Sequence, residues 1–274
     1  MMIKNQIYNL ISYFVFPNKG ITHIKRSPRV IVSLTSHPGR INVVHETINS
    51  LLRQNLKPDA VVLWLGMEKF PNRDKDLPTK LLRYKKHGLE IRWCNDLRSY
   101  TKLVPALQTF PDDIIVTADD DVIYQEDWFE KLYTNHILYP NEILCHHAFS
   151  PLLNNSYEIL DLNVRKRPGI LDPREHAAGI GGILYPPHSL HPETIEKELF
   201  QSLAPHNDDF WFWAMARLQG TPIRLIDGYC ENIVCIDEVQ DEGLWSSINS
   251  HGAGSQQFQN ILKAYPRMKE GLFV

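Results

Sequence analysis

Apolar runs of strand length recur along the first half of the chain, and stretches with helical spacing separate them. Positions 30–34 (VIVSL), 60–65 (AVVLWL), 89–94 (LEIRWC) and 114–116 (IIV) read as strands. After the turn SHPGR (36–40), Ile41, Val44, Ile48, Leu51 and Leu52 fall on one helical face. Residues 71–78 are a charged loop. A basic helix over 80–86 stops at Gly88, and a further helix is expected over 99–110. Strand and helix alternate over about the first 120 residues. That alternation predicts an α/β fold with a central, mostly parallel sheet flanked by helices on both faces.

Beyond residue 121 the pattern loosens. Helices are expected over 128–136, 192–203 and 208–218, and strands over 143–145, within GIGGILY (179–185) and over 222–226. Residues 151–176 read as a polar loop. No repeat or linker interrupts the chain. The economical division is a segment 1–28 followed by one domain, 29–274. Its front half, 29–125, is expected to bind a nucleotide and its back half, 126–274, the substrate.

Composition narrows the picture in two places. The 274 residues carry a formal net charge of −3, which gives no global attraction to nucleic acid. Cys94, Cys145, Cys230 and Cys235 are scattered and read as reduced thiols of a cytoplasmic protein. The N-terminus is different. IYNLISYFVF (7–16) is apolar, too short to span a bilayer, and flanked by Lys4, Lys19, Lys25, Arg26 and Arg29. Three readings stand for it: peripheral contact at the inner face of the cell membrane, packing onto the domain, or pairing in a homo-oligomer.

The densest chemistry follows the fourth strand. In DIIVTADDDVIY (113–124) three aspartates stand where an apolar strand should end. Strand alternation would point Asp119 and Asp121 one way and Asp120 the other. Ligands of open α/β sheets bind at the carboxyl ends of the strands. Converging carboxylates there suit a hard divalent ion, Mg2+ or Mn2+, which commonly arrives with a phosphate-bearing substrate. The bland reading is a solvated acidic turn.

A second acidic pair opens HNDDFWFWAMARL (206–218). Asp208 reads equally as a helix cap and as a functional acid. Asp209 is the better candidate base, with Phe210, Trp211 and Trp213 as an apolar wall that would raise its pKa. Their rings could also stack on sugars.

Six segments, VSLTSHPGRI (32–41), LWLG (63–66), SYTKLVPAL (99–107), VTADDDVIY (116–124), GIGGILYPP (179–187) and NDDFWFWAM (207–215), together resemble GT-A nucleotide-sugar glycosyltransferases. The likeness is to family 2-like enzymes of bacterial polysaccharide and lipopolysaccharide biosynthesis. It implies a GT-A, Rossmann-like fold and transfer of one sugar from a UDP-sugar or similar donor to a saccharide or lipid-linked saccharide acceptor. It also implies a Mn2+ or Mg2+ ion. By the same resemblance Asp121 is the principal metal ligand. Asp119 touches the ribose or the metal, and Asp120 orients the pair. Thr35, Ser36 and Arg40 line the nucleotide pocket, Asp96 reads the base, and Lys102 meets base or diphosphate. Gly181 and Gly182 let the backbone approach the donor sugar or acceptor, Asp209 is the catalytic base beside Asp208, and His251 is a late metal ligand. The uninterrupted DDD, Asp-Asp in place of Glu-Asp, and the lack of a QxxRW motif depart from the common pattern and favour single-sugar transfer over polymer synthesis. A base at Asp209 implies inversion; a merely orienting Asp209 leaves retention open.

Two other classes compete. A strand followed by D-D-D-V also resembles haloacid-dehalogenase-type phosphatases, with Asp119 as nucleophile and Asp121 as acid/base on Mg2+. That motif normally lies on the first strand, whereas three strands precede it here. A non-catalytic sugar-binding protein would bind sugar without turning over a donor.

Overall fold

The computed structural model describes residues 20–226, 233–236 and 252–273. Its elements run β1 (Val30–Thr35), α1 (Val44–Leu52), β2 (Ala60–Gly66), α2 (Thr79–Leu82), β3 (Leu89–Cys94), α3 (Val104–Thr109), β4 (Ile114–Thr117) and β5 (Val122–Ile123). There follow α4 (Trp128–Leu138), β6 (Ile143–Cys145), β7 (Ala148–Leu153), β8 (Ile159–Val164), β9 (Gly169–Ile170), β10 (His176–Ala177) and β11 (Ile183–Tyr185). The chain continues through α5 (Lys197–Leu203), α6 (Asp208–Gln219), β12 (Ile223–Leu225), β13 (Val234–Cys235) and α7 (Ala253–Ala264).

The fold is α/β. Among the described residues the main sheet has the order β3-β2-β1-β4-β11-β6-β12-β9. Strands β3, β2, β1 and β4 are mutually parallel, and β6 pairs parallel with β12. β11 lies antiparallel between β4 and β6, so strands from both halves of the chain form one sheet. Both faces are covered. Val30, Val32 and Leu34 of β1 pack on one side with Val44 and Ile48 of α1 and Trp128 and Phe129 of α4. Ile31, Val62 and Trp64 pack on the other with Val104 of α3 and Phe212 and Trp213 of α6. Two-sided burial is why the strands read as continuous apolar runs rather than alternating ones.

Several expectations need correction. Residues 151–176 are not simply a loop: β7, β8 and β10 form a three-stranded sheet, and β9 adds to the edge of the main sheet. β8 is largely exposed, so it lacks the alternation of buried positions by which a strand is recognised in sequence. The helix expected over 99–110 divides into a 3-10 turn, Arg98–Lys102, and α3, with Pro105 in the first turn of α3. The stretch 192–203 divides likewise at Glu196, whose backbone is extended (φ −78°, ψ 99°). The stop at Gly88 is as expected, with φ 101° closing the turn before β3. Cys94, Cys145 and Cys235 are free thiols. Cys230, His251 and residues 1–19 lie outside the described residues.

Gly182 shows how tightly the sheet and α4 meet. Its φ of +86° with ψ of 141° lies in a region essentially restricted to glycine. A Cβ there would stand 2.4 Å from Cζ2 of the buried Trp128, whose indole N–H donates to Gly181 O at 2.8 Å. Gly182→Ala is therefore expected to cost about 2 kcal/mol or more. The melting temperature should fall by about 2–4 °C for each kcal/mol lost. An unchanged melt would contradict this account of the contact.

Candidate functional site

Two acidic motifs meet at the carboxyl edge of the sheet. Asp119 follows β4 directly, and Asp208 and Asp209 occupy the first turn of α6. Lys102, at the end of the 3-10 turn before α3, joins them. Its ammonium lies 2.8 Å from Asp119 Oδ1 and 3.1 Å from Asp208 Oδ2. The first contact is a hydrogen bond; the second is an ion pair. Lys102 is buried, and Ser33 Oγ of β1 fixes its backbone by donating to Lys102 O at 2.6 Å. Burial opposes the ammonium charge, but Asp119, Asp208 and Asp209 outweigh it and hold its pKa well above the ordinary lysine value.

Asp209 turns its carboxylate to the backbone N–H of Gly179, which donates at 3.1 and 3.3 Å. A Cβ on Gly179 would lie 2.7 Å from Lys102 Nζ and 3.2 Å from Asp209 Oδ1, so glycine is what lets this turn approach the acids. Burial and then the Asp208 carboxylate push Asp209 up to about 7, against the pull of Lys102. A small apolar cavity behind it is lined by Tyr185, Phe212 and Trp213, among others.

The triple acid does not alternate as a strand would. β4 ends at Thr117, and Asp120 and Asp121 lie in the turn before β5. Asp119 therefore faces Lys102, while Asp120 and Asp121 share Arg40, at 2.9 and 3.0 Å from Nη1. Ser36 Oγ also donates to Asp120 Oδ2 at 2.6 Å, and Thr47 Oγ1 to the Asp120 carbonyl. Burial, followed by the Asp119 carboxylate, pushes Asp121 up to about 6 despite Arg40. β13 pairs with β5, and Ile236 N–H donates to Asp121 O at 2.8 Å.

The other sequence candidates are dispersed. The Thr35 hydroxyl donates to Trp64 O. Asp96, just past β3, pairs with Lys69 at 2.9 Å and accepts from Arg98 N–H, so it lies in an ion pair at the sheet's carboxyl edge. Gly181 and Gly182 press against His147 and Trp128, and Gly179 is the glycine facing the acids. The cap of α6 is Asn207, accepting from Phe210 N–H at 3.0 Å, and not Asp208. Trp211 and Trp213 are core residues with their indole N–H groups on backbone carbonyls, so they offer no face for a sugar. Phe210 packs on His176 and Phe258, so the wall behind Asp209 is Phe212 and Trp213 with Tyr185, rather than Phe210 and Trp211.

Gly179 and Tyr124 also stand at this cluster, and the sequence reading did not single them out. Gly179 belongs to the same GIGG run as Gly181, and only contact with Lys102 separates their roles. The Tyr124 hydroxyl accepts the Asp119 N–H at 2.8 Å, and an aromatic residue closing an apolar strand gives no sign of that in sequence.

Among the described residues no three His, Cys, Asp or Glu side chains are grouped as metal ligands. The donor chemistry nevertheless fits a divalent ion. Five carboxylates, of Asp119, Asp120, Asp121, Asp208 and Asp209, stand with two cationic side chains, Arg40 and Lys102, and burial followed by the Asp119 carboxylate holds Asp121 toward its neutral form. Ions such as Mg2+ are commonly held by one or two carboxylates, with substrate phosphates completing the shell. Asp121 and Asp119 are the residues that would hold one.

No protein-family model matches the chain, and no curated protein matches it. Among solved structures the fold is similar to S. aureus TarS 1–349, at 12% identity and a TM-score of 0.49, over 88% of this chain and 73% of that one. It is similar to the same protein in complex with UDP-GlcNAc at 12% identity and a TM-score of 0.48, over 75% of this chain and 57% of that one. The inositol-1-phosphate CTP transferase from T. maritima is similar at 11% identity and a TM-score of 0.46, over 88% of this chain and 98% of that one. Similarity at this level carries nothing about activity.

Two outcomes follow from the geometry. Lys102→Met leaves buried carboxylates without their cation and should cost about 3–5 kcal/mol, read by denaturant unfolding. Asp119→Asn in the same chain should restore part of the loss. For Asp209 the folded pKa, about 7, lies above the ordinary 3.8. Its contribution to stability is therefore full below the ordinary value and is lost as pH rises through about 7. Asp209→Asn cannot ionise, so its melting temperature should gain on the wild type between about pH 5 and about pH 8. A constant difference over that range would refute the shift.

Proposed function

We propose that this protein is a GT-A-type glycosyltransferase that moves one sugar from a nucleotide-sugar donor, UDP-linked by the resemblance, to an acceptor hydroxyl. The observation that carries this reading is the meeting of the two acidic motifs through Lys102 at the carboxyl edge of the sheet. One motif suits a diphosphate-bound cation and the other suits proton transfer, and both belong to one cluster.

Asp209 takes the proton of the acceptor hydroxyl as it attacks the anomeric carbon. Its pKa near neutrality suits a base that must be ionised yet still bind a proton. The Gly179 N–H holds its carboxylate in place. Attack in line with the departing diphosphate inverts the anomeric centre. Arg40 and Ser36 hold the acidic turn in shape through Asp120. A divalent cation at Asp121 and Asp119 would neutralise charge on the leaving diphosphate. His251 belongs to this proposal as a further ligand, on the sequence resemblance alone. Saccharides or lipid-linked saccharides of bacterial surface polysaccharides are the acceptors this resemblance supports.

Thermal-shift measurements with nucleotides and nucleotide sugars, with and without Mn2+, test the donor site. UDP-sugars should raise the melting temperature in Mn2+, and Asp121→Asn should remove that rise. Asp209→Asn should keep the rise and lose turnover by roughly 10²-fold or more. Release of phosphate from small esters, with no response to any nucleotide sugar, would favour a phosphatase and end the transferase reading.

A further inference from the structure

The small sheet ends in an open strand. Its order is β10-β7-β8, so among the described residues β8 has one neighbour, β7. The ladder between them fixes which backbone groups turn outward. Arg165 N–H donates to Ala148 O at 2.9 Å, and this pair is next in register to Phe149–Val164. Hydrogen-bonded and non-bonded pairs alternate in an antiparallel ladder. Ser150–Asn163 and Leu152–Asp161 are therefore bonded pairs, and Phe149–Val164 and Pro151–Leu162 are not. Pro151, which has no N–H, falls on a position that needs none. The N–H and C=O groups of Leu162 and Val164 thus point away from β7, and the Leu162 N–H donates to Oδ1 of its own neighbour Asp161 at 2.8 Å.

This edge is apolar along its length and oppositely charged at its two ends. Leu160 is 60% and Val164 41% exposed. Glu158 and Asp161 are exposed toward the start of β8, and Lys166 and Arg167 are exposed just beyond its end. A register shift between Leu152 and Leu153 is confined to the start of β8, and pairing is regular from Asp161 to Val164. An open edge of this kind is a template for a further strand. The order of charges decides which strand fits. A second β8 laid antiparallel sets the acidic start of each copy against the basic end of the other, whereas a parallel one sets like charge against like.

We propose that two copies of this chain dimerise by antiparallel pairing of their β8 edges about a two-fold axis at Asn163. Leu162 of each copy exchanges backbone hydrogen bonds with Val164 of the other, and these two side chains meet on one face of the joined sheet. Asp161 stands opposite Arg165 of the second copy, and Glu158 lies toward the end that carries Lys166 and Arg167. Arg165 is held by Glu175 of its own chain at 2.7 Å, so Lys166 and Arg167 are the exposed cations that answer the acids of the second copy. The two small sheets become one, with both β10 strands, which lead to Gly179, on its outside. An unrelated peptide is the poorer occupant. It would have to carry this charge order in reverse, which a two-fold contact supplies by symmetry.

Analytical ultracentrifugation of the full chain tests this with no donor and no turnover, so its outcome is separate from that of the transferase reading. A contact this small should give a dimer with a Kd of roughly 1–100 μM. Val164→Pro removes an outward N–H at an edge position where proline is tolerated. It should weaken the dimer roughly tenfold or more with the melting temperature little changed. Glu158→Lys/Asp161→Lys and Lys166→Glu/Arg167→Glu should each be monomeric alone and associate when mixed, because mixing restores opposite charges at both ends of the contact. A chain that stays monomeric up to about 1 mM would overturn the proposal. So would a dimer undiminished by Val164→Pro, or charge variants that dimerise alone as the wild type does or stay apart when mixed.

Discussion

A single buried ammonium holds the two acidic motifs of this protein together. Lys102 lies between Asp119, from the turn after β4, and Asp208, from the start of α6, so a residue of the front half bonds acids from both halves. Removing a lysine from water is costly, and only well-placed carboxylates offset the cost. The surrounding parts serve that placement. Ser33 fixes the Lys102 backbone, Tyr124 anchors the Asp119 backbone, and Gly179 leaves room beside the ammonium.

Charge is unevenly shared around that pair. Arg40 answers Asp120 and Asp121, and Lys102 answers Asp119 and Asp208, yet Asp209 and Asp121 are still pushed toward their neutral forms. Such a cluster is a strained arrangement in the folded protein, since burial and like charge both work against it. A fold that keeps it does so at the expense of stability.

The two edges of the sheet divide the remaining roles. At the carboxyl edge the strands give way to turns whose polar groups face one another. At the amino edge residues 20–29 cross the strand ends, held by backbone hydrogen bonds and by the Arg26–Asp59 and Arg29–Asp113 ion pairs. The aromatic residues of α6 belong to neither edge. They fill the core on one face and keep Asp209 in a dry setting, which raises its pKa.

The α/β class, the parallel front half and the two acidic motifs were legible in the sequence, because strands buried on both faces are written as apolar runs and carboxylates gathered after such a run are conspicuous. The small sheet of β7, β8 and β10 was not, since β8 is largely exposed and β10 is two residues long, and neither writes a pattern in its own residues. Nor could spacing along the chain reveal that Asp119 parts from Asp121, that Asn207 caps α6, or that Gly179 rather than Gly181 meets the acids. Those outcomes depend on where β4 stops and on Lys102 reaching across from another element. Periodicity reports which residues leave water; which charges then meet is set by packing in three dimensions.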